Sequence, residues 1–410
     1  MTATTKETKT TKEAEVRTAA EAIKVKKLAL LGFGNAGRAF AKLLMDKSEQ
    51  IEKKYGYRVI VTAIATGTRG NLVAPAPPAT PLTTPLTPQA DSAAPEAPTG
   101  AAKPAAPTPQ APAAPETALA PAGIDLAAAI ADIETAGAFS EKLPLTQMTT
   151  MEIVAQADYD VLVEMTPLNI FTGEPAITHI ETAFARGKDV ITANKGPIAW
   201  KFAELRDMAK QNGCRFFYET TVMDGTPVFN LAEKTLALAE VTEVSGILNS
   251  TTNYILEEMA AGKDYDEIIK NGQRMGFIEA DPAMDIEGYD AAAKITALLN
   301  VLMDAGITPD RVERKGIEDI TLADIQAARG KGCVIKLICR GYRDENGAVK
   351  AVVAPQEIPL TDMLASVNST TSVVSITTDL MKKISIVEHE PEIEQTAYGI
   401  FGDLLRVLSE

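Results

Sequence analysis

The chain has 410 residues, enough for two or three domains. A hydrophobic fraction of 46% and a charged fraction of 23% exclude a wholly disordered chain, a collagen-like fibre and a disulfide-stapled miniprotein. The formal net charge of −15 argues against nucleic acid or an anionic membrane surface as the main partner, because both repel a polyanion. The sequence contains no long apolar run, so no membrane span is predicted.

Residues 1–23 lack the apolar core of a secretory signal and are predicted to form a disordered, solvated tail. The three cysteines, Cys214, Cys333 and Cys339, show no paired spacing. This pattern indicates free thiols in a reducing compartment, so a cytoplasmic protein is predicted. With two histidines in the chain, a zinc site is disfavoured, and acid/base chemistry is expected from Lys, Asp, Glu or Tyr.

Between residues 24 and 217, apolar runs alternate with helical patterns. The predicted strands are Lys26–Leu31, Val59–Ala65, Val161–Glu164 and Asp189–Thr192. The predicted helices are Arg38–Glu52, Ile124–Ala136 and Pro175–Arg186. This alternation predicts a doubly wound parallel sheet of the Rossmann-like α/β class.

A proline-rich stretch interrupts this domain. Fourteen of the 24 prolines lie between Ala74 and Pro121, together with 16 alanines. Proline removes backbone donors and fixes φ, so the segment 74–121 is predicted to be an extended, disordered surface insert. A ligand for a proline-recognising partner is the alternative, which no specific feature supports. We expect its deletion to leave the chemistry intact.

After residue 217 the pattern changes to that of an α+β region, expected to span 218–387. The strand-like runs are Arg215–Tyr218, Val241–Leu248, Val334–Cys339 and Ala348–Val353. The predicted helices are Tyr254–Ala261, Ala291–Met303 and Leu322–Arg329. A final strand and helix, Lys383–Val387 and Gln395–Leu408, can return to either part by pattern alone.

A glycine-rich turn follows the first predicted strand and opens a helix. Its residues are Gly32, Phe33, Gly34, Asn35, Ala36 and Gly37. The first glycine permits the tight turn, the second lets a pyrophosphate approach the backbone, and the third allows close helix–strand packing. This context predicts a dinucleotide site, with a plain tight turn as the alternative.

The end of the second strand carries information about the cofactor. An NAD site usually has an acidic residue there for the ribose diol, but the run from Ala65 to Arg69 has none. Arg69 is placed to meet a 2′-phosphate, so NADP(H) is preferred and NAD(H) is possible. The alternative is a solvated loop arginine.

Two segments that contain a lysine are candidates for the catalytic site. Lys195 follows a predicted parallel strand, at the sheet edge where ligands of open α/β sheets bind. Lys294 is four residues after Asp290, and a helix that begins near Tyr289 places both on one face. The acids of the loop before it are Glu279, Asp281, Asp285 and Glu287. These carboxylates suit the binding of a substrate ammonium group. The alternative, without a function, is a surface loop lysine at 195 and a solvated acidic loop before Lys294.

Five motifs in order resemble the homoserine dehydrogenase family. They are GFGNAGRAF, ITANKGPIA, ETTVMDGTPVFNL, GILNSTTNYIL and GFIEADPAMDIEGYDAAAKI. The resemblance extends from about residue 26 to 408, apart from the insert. It implies NAD(P)-dependent interconversion of L-homoserine and L-aspartate 4-semialdehyde, in threonine and methionine biosynthesis.

The resemblance also assigns residues. It implies that Lys294 is the proton donor or acceptor and that Lys195 is a second catalytic lysine, close to the nicotinamide. Glu279 would bind the homoserine ammonium, with Asp285 and Asp290 as further substrate-site acids.

Three more assignments come from the same resemblance. Thr166 would contact the cofactor. Glu219 and the carbonyls of Val222, Asp224 and Thr226 would form a monovalent-cation site, with sodium as the expected ion. The region 218–387 would bind substrate and form a homodimer, while 388–410 would return to the nucleotide domain.

The chain departs from the family pattern at several places. Ser250 replaces a more usual glycine, and the acidic run 388–394 replaces a Gly-rich turn near the cofactor. No ACT or aspartate kinase region is recognised, so threonine inhibition through such a domain is not expected. A dehydrogenase of another small hydroxy or semialdehyde compound, and a non-catalytic cofactor sensor, are the alternative functions.

Overall fold

The computed structural model describes residues 23–75, 122–279 and 281–409. The predicted N-terminal tail and the segment 76–121 of the predicted insert lie outside the described residues, so both stay predictions. Among the helices described, none is long and apolar enough to cross a membrane. The three cysteines are free thiols, as the sequence pattern predicts.

The first sheet has seven strands. They are β1 (Lys24–Leu31), β2 (Tyr57–Ala65), β3 (Asn71–Val73), β4 (Leu145–Thr146), β5 (Val161–Glu164), β6 (Asp189–Thr192) and β7 (Phe216–Phe217). Their order is β4-β3-β2-β1-β5-β6-β7, and all pairs are parallel except those made by β3 and β4 at one edge. The order reverses between β1 and β5, which is where open α/β sheets bind ligands.

The helices of this part are α1 (Asn35–Tyr55), α2 (Leu126–Ala136), α3 (Thr150–Gln156), α4 (Ala176–Ala185) and α5 (Lys195–Gln211). The predicted doubly wound α/β class is confirmed. The strand-like run Arg215–Tyr218, at the predicted boundary between the two regions, supplies β7 of the first sheet.

The second region is built on a six-stranded sheet. Its helices are α6 (Val228–Thr235), α7 (Ser250–Ala260), α8 (Tyr265–Met275), α9 (Ala283–Ile286), α10 (Tyr289–Met303) and α11 (Leu322–Gly330). Its strands are β8 (Val241–Ile247), β9 (Glu313–Arg314), β10 (Cys333–Arg343), β11 (Val349–Pro359), β12 (Ser372–Thr378) and β13 (Lys382–Glu388). The order is β13-β12-β8-β10-β11-β9, antiparallel except between β11 and β9.

A last helix, α12 (Ile393–Ser409), returns to the first sheet. On one face of that sheet, Phe40 of α1, Ile130 of α2 and Leu404 of α12 share a buried apolar core. The opposite face is covered by α3, α4 and α5, through residues such as Ile180 and Leu205. The first sheet is therefore covered by helices on both faces, and burial of the apolar face holds the C-terminal helix there.

The ends of the predicted insert are anchored next to each other. The Ala74 N–H donates to the Thr62 carbonyl at 2.8 Å, and the Ile124 N–H donates to the Val61 carbonyl at 2.8 Å. The chain therefore leaves and rejoins the sheet at adjacent residues of β2.

Helices α5 and α10 connect the two sheets. The Asn300 side chain of α10 donates to the carbonyls of Ile198 and Ala199 in α5, at 3.1 and 3.3 Å. Ala293 of α10 packs against Ala199 in a small buried cluster. This packing brings the first turns of α5 and α10 together, and both turns carry predicted site residues.

Candidate active site

Two glycines of the loop between β1 and α1 are required by close backbone contacts. A Cβ on Gly32, which has φ +93°, would lie 2.3 Å from the Met165 carbonyl oxygen. A Cβ on Gly37 would lie 2.7 Å from the Gly32 carbonyl oxygen. Gly34 has no atom within 4 Å of its would-be Cβ, so the loop is open there. These are the roles that a dinucleotide fingerprint assigns to its glycines.

The N-terminus of α1 is free to bind an anion. Gly34 is its N-cap and supplies no side-chain cap, and the first turn contains no acid. The first N–H groups of the helix, at Asn35, Ala36 and Gly37, therefore suit a pyrophosphate. The Phe33 ring is buried against Phe139, with ring centroids 5.8 Å apart, so Phe33 offers only its backbone to a nucleotide.

A buried carboxylate links Thr166 to the segment that precedes Lys195. Glu164 is fully buried at the end of β5, and its Oε1 accepts hydrogen bonds from the Thr166 N–H at 3.0 Å and from the Thr166 hydroxyl. The Thr192 hydroxyl donates to Oε2 at 3.2 Å, and the Asn194 amide donates to the Thr166 carbonyl at 3.2 Å. Burial raises the pKa of Glu164 to about 7, although these hydrogen bonds oppose the rise.

Sequence reasoning did not select Glu164. An acidic residue that ends an otherwise apolar strand, VLVE, is the signal that marks it. Asn194 was also missed: its side chain accepts from the Gly196 N–H at 3.0 Å and caps α5, which begins at Lys195.

The two predicted lysines meet at one carboxylate. Lys195 Nζ lies 3.1 Å from Asp290 Oδ1, and Lys294 Nζ lies 3.2 Å from Asp290 Oδ2. The three side chains are 13–20% exposed, so little solvent reaches the cluster. The i,i+4 relation of Asp290 and Lys294 is as predicted, whereas the approach of Lys195 depends on the packing of α5 against α10.

Asn249 holds the acids of this cluster in place. Its side-chain amide donates to Asp285 Oδ1 at 2.7 Å and to Asp290 Oδ2 at 2.9 Å. Its own oxygen caps α7 by accepting from the Thr252 N–H at 2.9 Å. Lys294 Nζ also donates to the Leu248 carbonyl at 2.8 Å. Asn249 lies in the motif GILNSTTNYIL but was not selected from the sequence.

The charges of the cluster shift one another's pKa values. Burial acts to lower the pKa of Lys294, but Asp290, Asp224 and Asp285 outweigh it and raise the pKa above the ordinary lysine value. Burial acts to raise the pKa of Asp290, but Lys294 and Lys195 outweigh it and lower the pKa. Burial and the neighbouring Asp290 charge raise the pKa of Asp285. Lys294 is therefore an ammonium group near neutral pH.

Two predicted residues stand apart from this cluster. Glu279 is exposed after α8, and its carboxylate makes no hydrogen bond or ion pair with a described residue. Arg69 follows β2 and is half-buried, and its guanidinium likewise has no partner in the described part of the chain. Both charges are thus available to a ligand.

The predicted cation segment surrounds a helix cap. The Glu219 carboxylate accepts hydrogen bonds from the N–H groups of Phe229 and Asn230 at 2.8 and 2.7 Å, at the start of α6. The Asp224 carbonyl accepts from the Thr220 hydroxyl at 2.6 Å, and the Thr226 carbonyl accepts from the Val228 N–H at 2.8 Å.

These oxygens are hard donors, as a monovalent cation requires, but most of them already accept protein hydrogen bonds. Val222, the remaining predicted ligand, is buried. The sodium assignment stays a prediction. In the part of the chain described, no group of three or more His, Cys, Asp or Glu side chains is arranged to hold a metal ion.

Comparison with known proteins identifies the family. The model for the homoserine dehydrogenase NAD binding domain matches residues 127–219, and the homoserine dehydrogenase model matches residues 227–405. The NAD(+)-dependent homoserine dehydrogenase of Pseudomonas canavaninivorans is 37% identical over 255 residues, which cover 62% of this chain and 72% of that protein. The chain belongs to the homoserine dehydrogenase family.

Other homoserine dehydrogenases support the same assignment. That of Methanocaldococcus jannaschii is 39% identical over 262 residues, covering 64% of this chain and 76% of that protein. The crystal structure of a homoserine dehydrogenase from Thiobacillus denitrificans has a TM-score of 0.71 at 26% identity, and the match covers 94% of this chain and 74% of that one.

These findings confirm the predicted family, fold class and function. The chain is an oxidoreductase of the homoserine dehydrogenase family, which acts on a CH–OH group with a nicotinamide cofactor. The open glycine loop and the uncapped helix α1 fit that cofactor.

Proposed function

We propose that Lys294 exchanges the proton when this homoserine dehydrogenase interconverts L-homoserine and L-aspartate 4-semialdehyde, with NADP(H) as the preferred cofactor. One observation carries the proposal. Lys195 and Lys294 converge on Asp290, from α5 and from α10, in a nearly closed cluster. Lys195 is the first residue of α5, directly after β6 at the carboxyl edge of the sheet.

The charge state of Lys294 sets the direction of proton transfer. As an ammonium group it donates a proton to the aldehyde oxygen when the semialdehyde is reduced. In the reverse direction, neutral Lys294 accepts the hydroxyl proton of homoserine while the C–H bond breaks and the C=O bond forms. When bound, the nicotinamide ring accepts or supplies the hydride at C4.

The surrounding residues position these groups. Asp290 holds both ammonium groups, and Asn249 fixes Asp290 through a 2.9 Å hydrogen bond. Lys195 lies on the side of Glu164 and Thr166, where the nicotinamide half of the cofactor is expected. Asp285 and Glu279 supply the negative charge for the homoserine ammonium, which leaves the hydroxyl carbon facing the lysines.

The cofactor preference rests on Arg69. No acid stands at the end of β2 to hold a ribose diol, and the Arg69 guanidinium has no partner among the described residues. A 2′-phosphate supplies that partner. The relative from Pseudomonas canavaninivorans is named NAD(+)-dependent, so the two cofactors have to be compared directly.

The proposal includes the assembly and location expected from the family resemblance. We propose a homodimer formed through the region 218–387, with a cytoplasmic location. Large apolar side chains of this region are exposed, among them Leu360, Met363, Leu380 and Met381. Light scattering coupled to size exclusion gives the mass directly, and a monomer at micromolar concentration contradicts the dimer.

The activity is tested with the purified full-length chain. We expect L-homoserine to drive reduction of NADP+, followed at the nicotinamide absorbance, with a higher kcat/KM than for NAD+. L-Serine, L-threonine and 2-hydroxybutyrate form the comparison panel for other small hydroxy compounds. No turnover of homoserine with either cofactor, or faster turnover of a panel compound, contradicts the proposal.

A further inference from the structure

Helix α5 carries Lys195 at its start and has a kink at Lys201. The backbone of Lys201 has φ −148° and ψ 29°, values outside the helical range, and the chain is helical on both sides of it. The kink separates a short first piece, residues 195–200, from the longer remainder of α5. The direction of this first piece decides whether the Lys195 ammonium reaches Asp290, which it contacts at 3.1 Å.

The side chain of Asn300, on α10, enters α5 at this kink. Its amide group donates to the carbonyls of Ile198 and Ala199, two residues that are fully buried. In an uninterrupted helix these carbonyls accept hydrogen bonds from N–H groups four residues later, on the far side of Lys201. A side chain that inserts into this hydrogen-bond ladder is one of the few causes of a sharp helix kink. Asn300 is thus placed to hold the kink.

Asn300 is itself held in a fixed orientation. It is 3% exposed, its side-chain oxygen accepts from the Ile307 N–H at 3.0 Å, and its amide group also donates to the Ile307 carbonyl at 3.0 Å. Because Ile307 follows the end of α10, the orientation of the Asn300 amide is set by its own part of the chain. The amide group therefore presents its donors to α5 without depending on α5 for its position.

Hydrogen bonds tie the first piece of α5 to both parts of the protein. The Trp200 indole N–H donates to the Ile170 carbonyl at 2.9 Å, in the segment between β5 and α4, and so ties the piece to the nucleotide part. The Asn300 hydrogen bonds come from α10, the helix that also carries Asp290. They therefore fix Lys195 relative to the carboxylate that it contacts.

A change in the kink displaces Lys195 by more than the chemistry tolerates. Lys195 is six residues before Lys201, a helical distance of about 9 Å. A rotation of about 20° at Lys201, the size at which a kink counts as sharp, moves the start of the helix by about 3 Å. A misplacement of about 1 Å in a reacting site can lower the rate about a hundredfold.

We propose that Asn300 is a positioning residue for the reaction, because its hydrogen bonds hold the kink at Lys201 and thereby direct Lys195 onto Asp290. This inference rests on the proposed function, in which Lys195 and Lys294 converge on Asp290 beside the nicotinamide. The effect of Asn300 on turnover passes through Lys195 and leaves cofactor binding unchanged.

A double-mutant cycle tests this role. The kcat of homoserine oxidation with NADP+ is measured for the wild type, Asn300→Ala, Lys195→Ala and the double variant. We expect Asn300→Ala to lower kcat at least about tenfold in the wild type and less than about threefold in Lys195→Ala, because a lysine that is absent cannot be misplaced. The NADPH dissociation constant, from fluorescence titration, should stay within about threefold for Asn300→Ala.

The size of the replacement decides whether the variant folds. A cavity of about 140 Å³ lies beside Asn300 and Trp200, so water can reach the Ile198 and Ala199 carbonyls when the amide is removed. Asn300→Ser keeps a hydroxyl donor and should have a kcat between those of Asn300→Ala and the wild type. It carries the same cycle if Asn300→Ala does not fold.

Thr62→Val is the matched control for the loss of a buried polar group. Thr62 is 8% exposed, and its hydroxyl donates to the carbonyls of Leu28 and Asp158 at 3.3 and 2.6 Å. Asp158 precedes β5, so this group lies away from the carboxyl edge of the sheet, where Lys195 is placed. We expect the kcat of Thr62→Val to stay within about threefold of the wild type.

Several results overturn the proposal. Equal losses of kcat in the two backgrounds, or a tenfold loss in Thr62→Val, would show that removing Asn300 perturbs the fold in general. Wild-type kcat in Lys195→Ala overturns it as well, because a misplaced Lys195 would then have no effect. Failure of the wild-type chain to oxidise homoserine contradicts the proposed function instead.

Discussion

Asp290→Asn tests the electrostatic account of Lys294. In the structure one carboxylate serves two ammonium groups, at 3.1 Å from Lys195 and 3.2 Å from Lys294. Coulomb's law at an effective dielectric constant of about 20 gives about 5 kcal/mol for each pair. The asparagine removes this attraction and leaves the two cations facing each other, so the pKa of Lys294 falls. Solvent entering the site offsets part of the change, so the fall in the pKa of Lys294 is smaller than the pair energy alone would give.

The sign of the pH effect follows from the chemistry. Homoserine oxidation needs neutral Lys294. Because the pKa of Lys294 is raised, the neutral amine forms only at alkaline pH. In the Asp290→Asn variant the neutral form appears earlier, so the rising limb of kcat/KM for homoserine oxidation moves to lower pH. Reduction of the semialdehyde needs the ammonium form, so its falling limb moves to lower pH as well.

The assay is the pH dependence of kcat/KM for homoserine oxidation and for semialdehyde reduction. The result is the pH at which each limb of the profile lies, not the maximum value of kcat/KM. Asp281→Asn is the matched control, because Asp281 is an exposed acid of the same segment. Its Oδ1 accepts from the Ala283 N–H at 3.1 Å, a bond that asparagine can also make. We expect no displacement for the control. An Asp290→Asn limb that stays in place or moves to higher pH refutes the reasoning.

Two further predictions concern the cofactor and the insert. Arg69→Ala should raise KM for NADP+ at least tenfold and change KM for NAD+ less than threefold, as measured by initial rates. Equal changes of KM for both cofactors would show that Arg69 does not bind the 2′-phosphate. Replacing 76–121 by about six Gly and Ser residues should leave NADPH affinity and homoserine turnover within about twofold of the wild type. Because the insert ends are held on adjacent residues of β2, shortening the loop by about three doublings should also stabilise the fold by about 2 kcal/mol, seen in urea unfolding. Loss of NADPH binding would contradict the proposed role of the insert.

Local patterns in the sequence predicted most of the nucleotide part. The strand β1, the glycine turn and the helix α1 form one short continuous unit, whose geometry depends on neighbouring residues. The continuous β-branched run of β2 behaves in the same way. The strands β3 and β4 were missed because each has three residues or fewer and owes its pairing to the sheet edge.

Helix α5 shows why some local patterns mislead. Its first turn contains Gly196 and Pro197, which read as a loop in the sequence. Proline is tolerated in the first turn of a helix, where an N–H has no intrahelical acceptor, and the Asn194 side chain caps the helix. The strand β12 was missed for another reason, since its run SVVSITT is buried through pairing with β8 and β13 on both sides.

The candidate site was predicted in its parts but not in its assembly. The helical spacing of Asp290 and Lys294 was readable from the sequence, because both lie on one helix. The contact of Lys195 with Asp290 depends on the packing of α5 on α10, and the spacing of residues along the sequence does not predict that packing. The same holds for the hydrogen bonds of Asn249 to Asp285 and Asp290.

The central claim is that Lys294 moves the proton and does not hold the cofactor. The most direct measurement compares wild type and Lys294→Ala in two assays on the same preparation, homoserine-dependent reduction of NADP+ and fluorescence titration with NADPH. We predict that turnover falls by at least a thousandfold while the NADPH dissociation constant changes less than about threefold. Retained turnover, or a loss of NADPH affinity that matches the loss of turnover, would contradict the account.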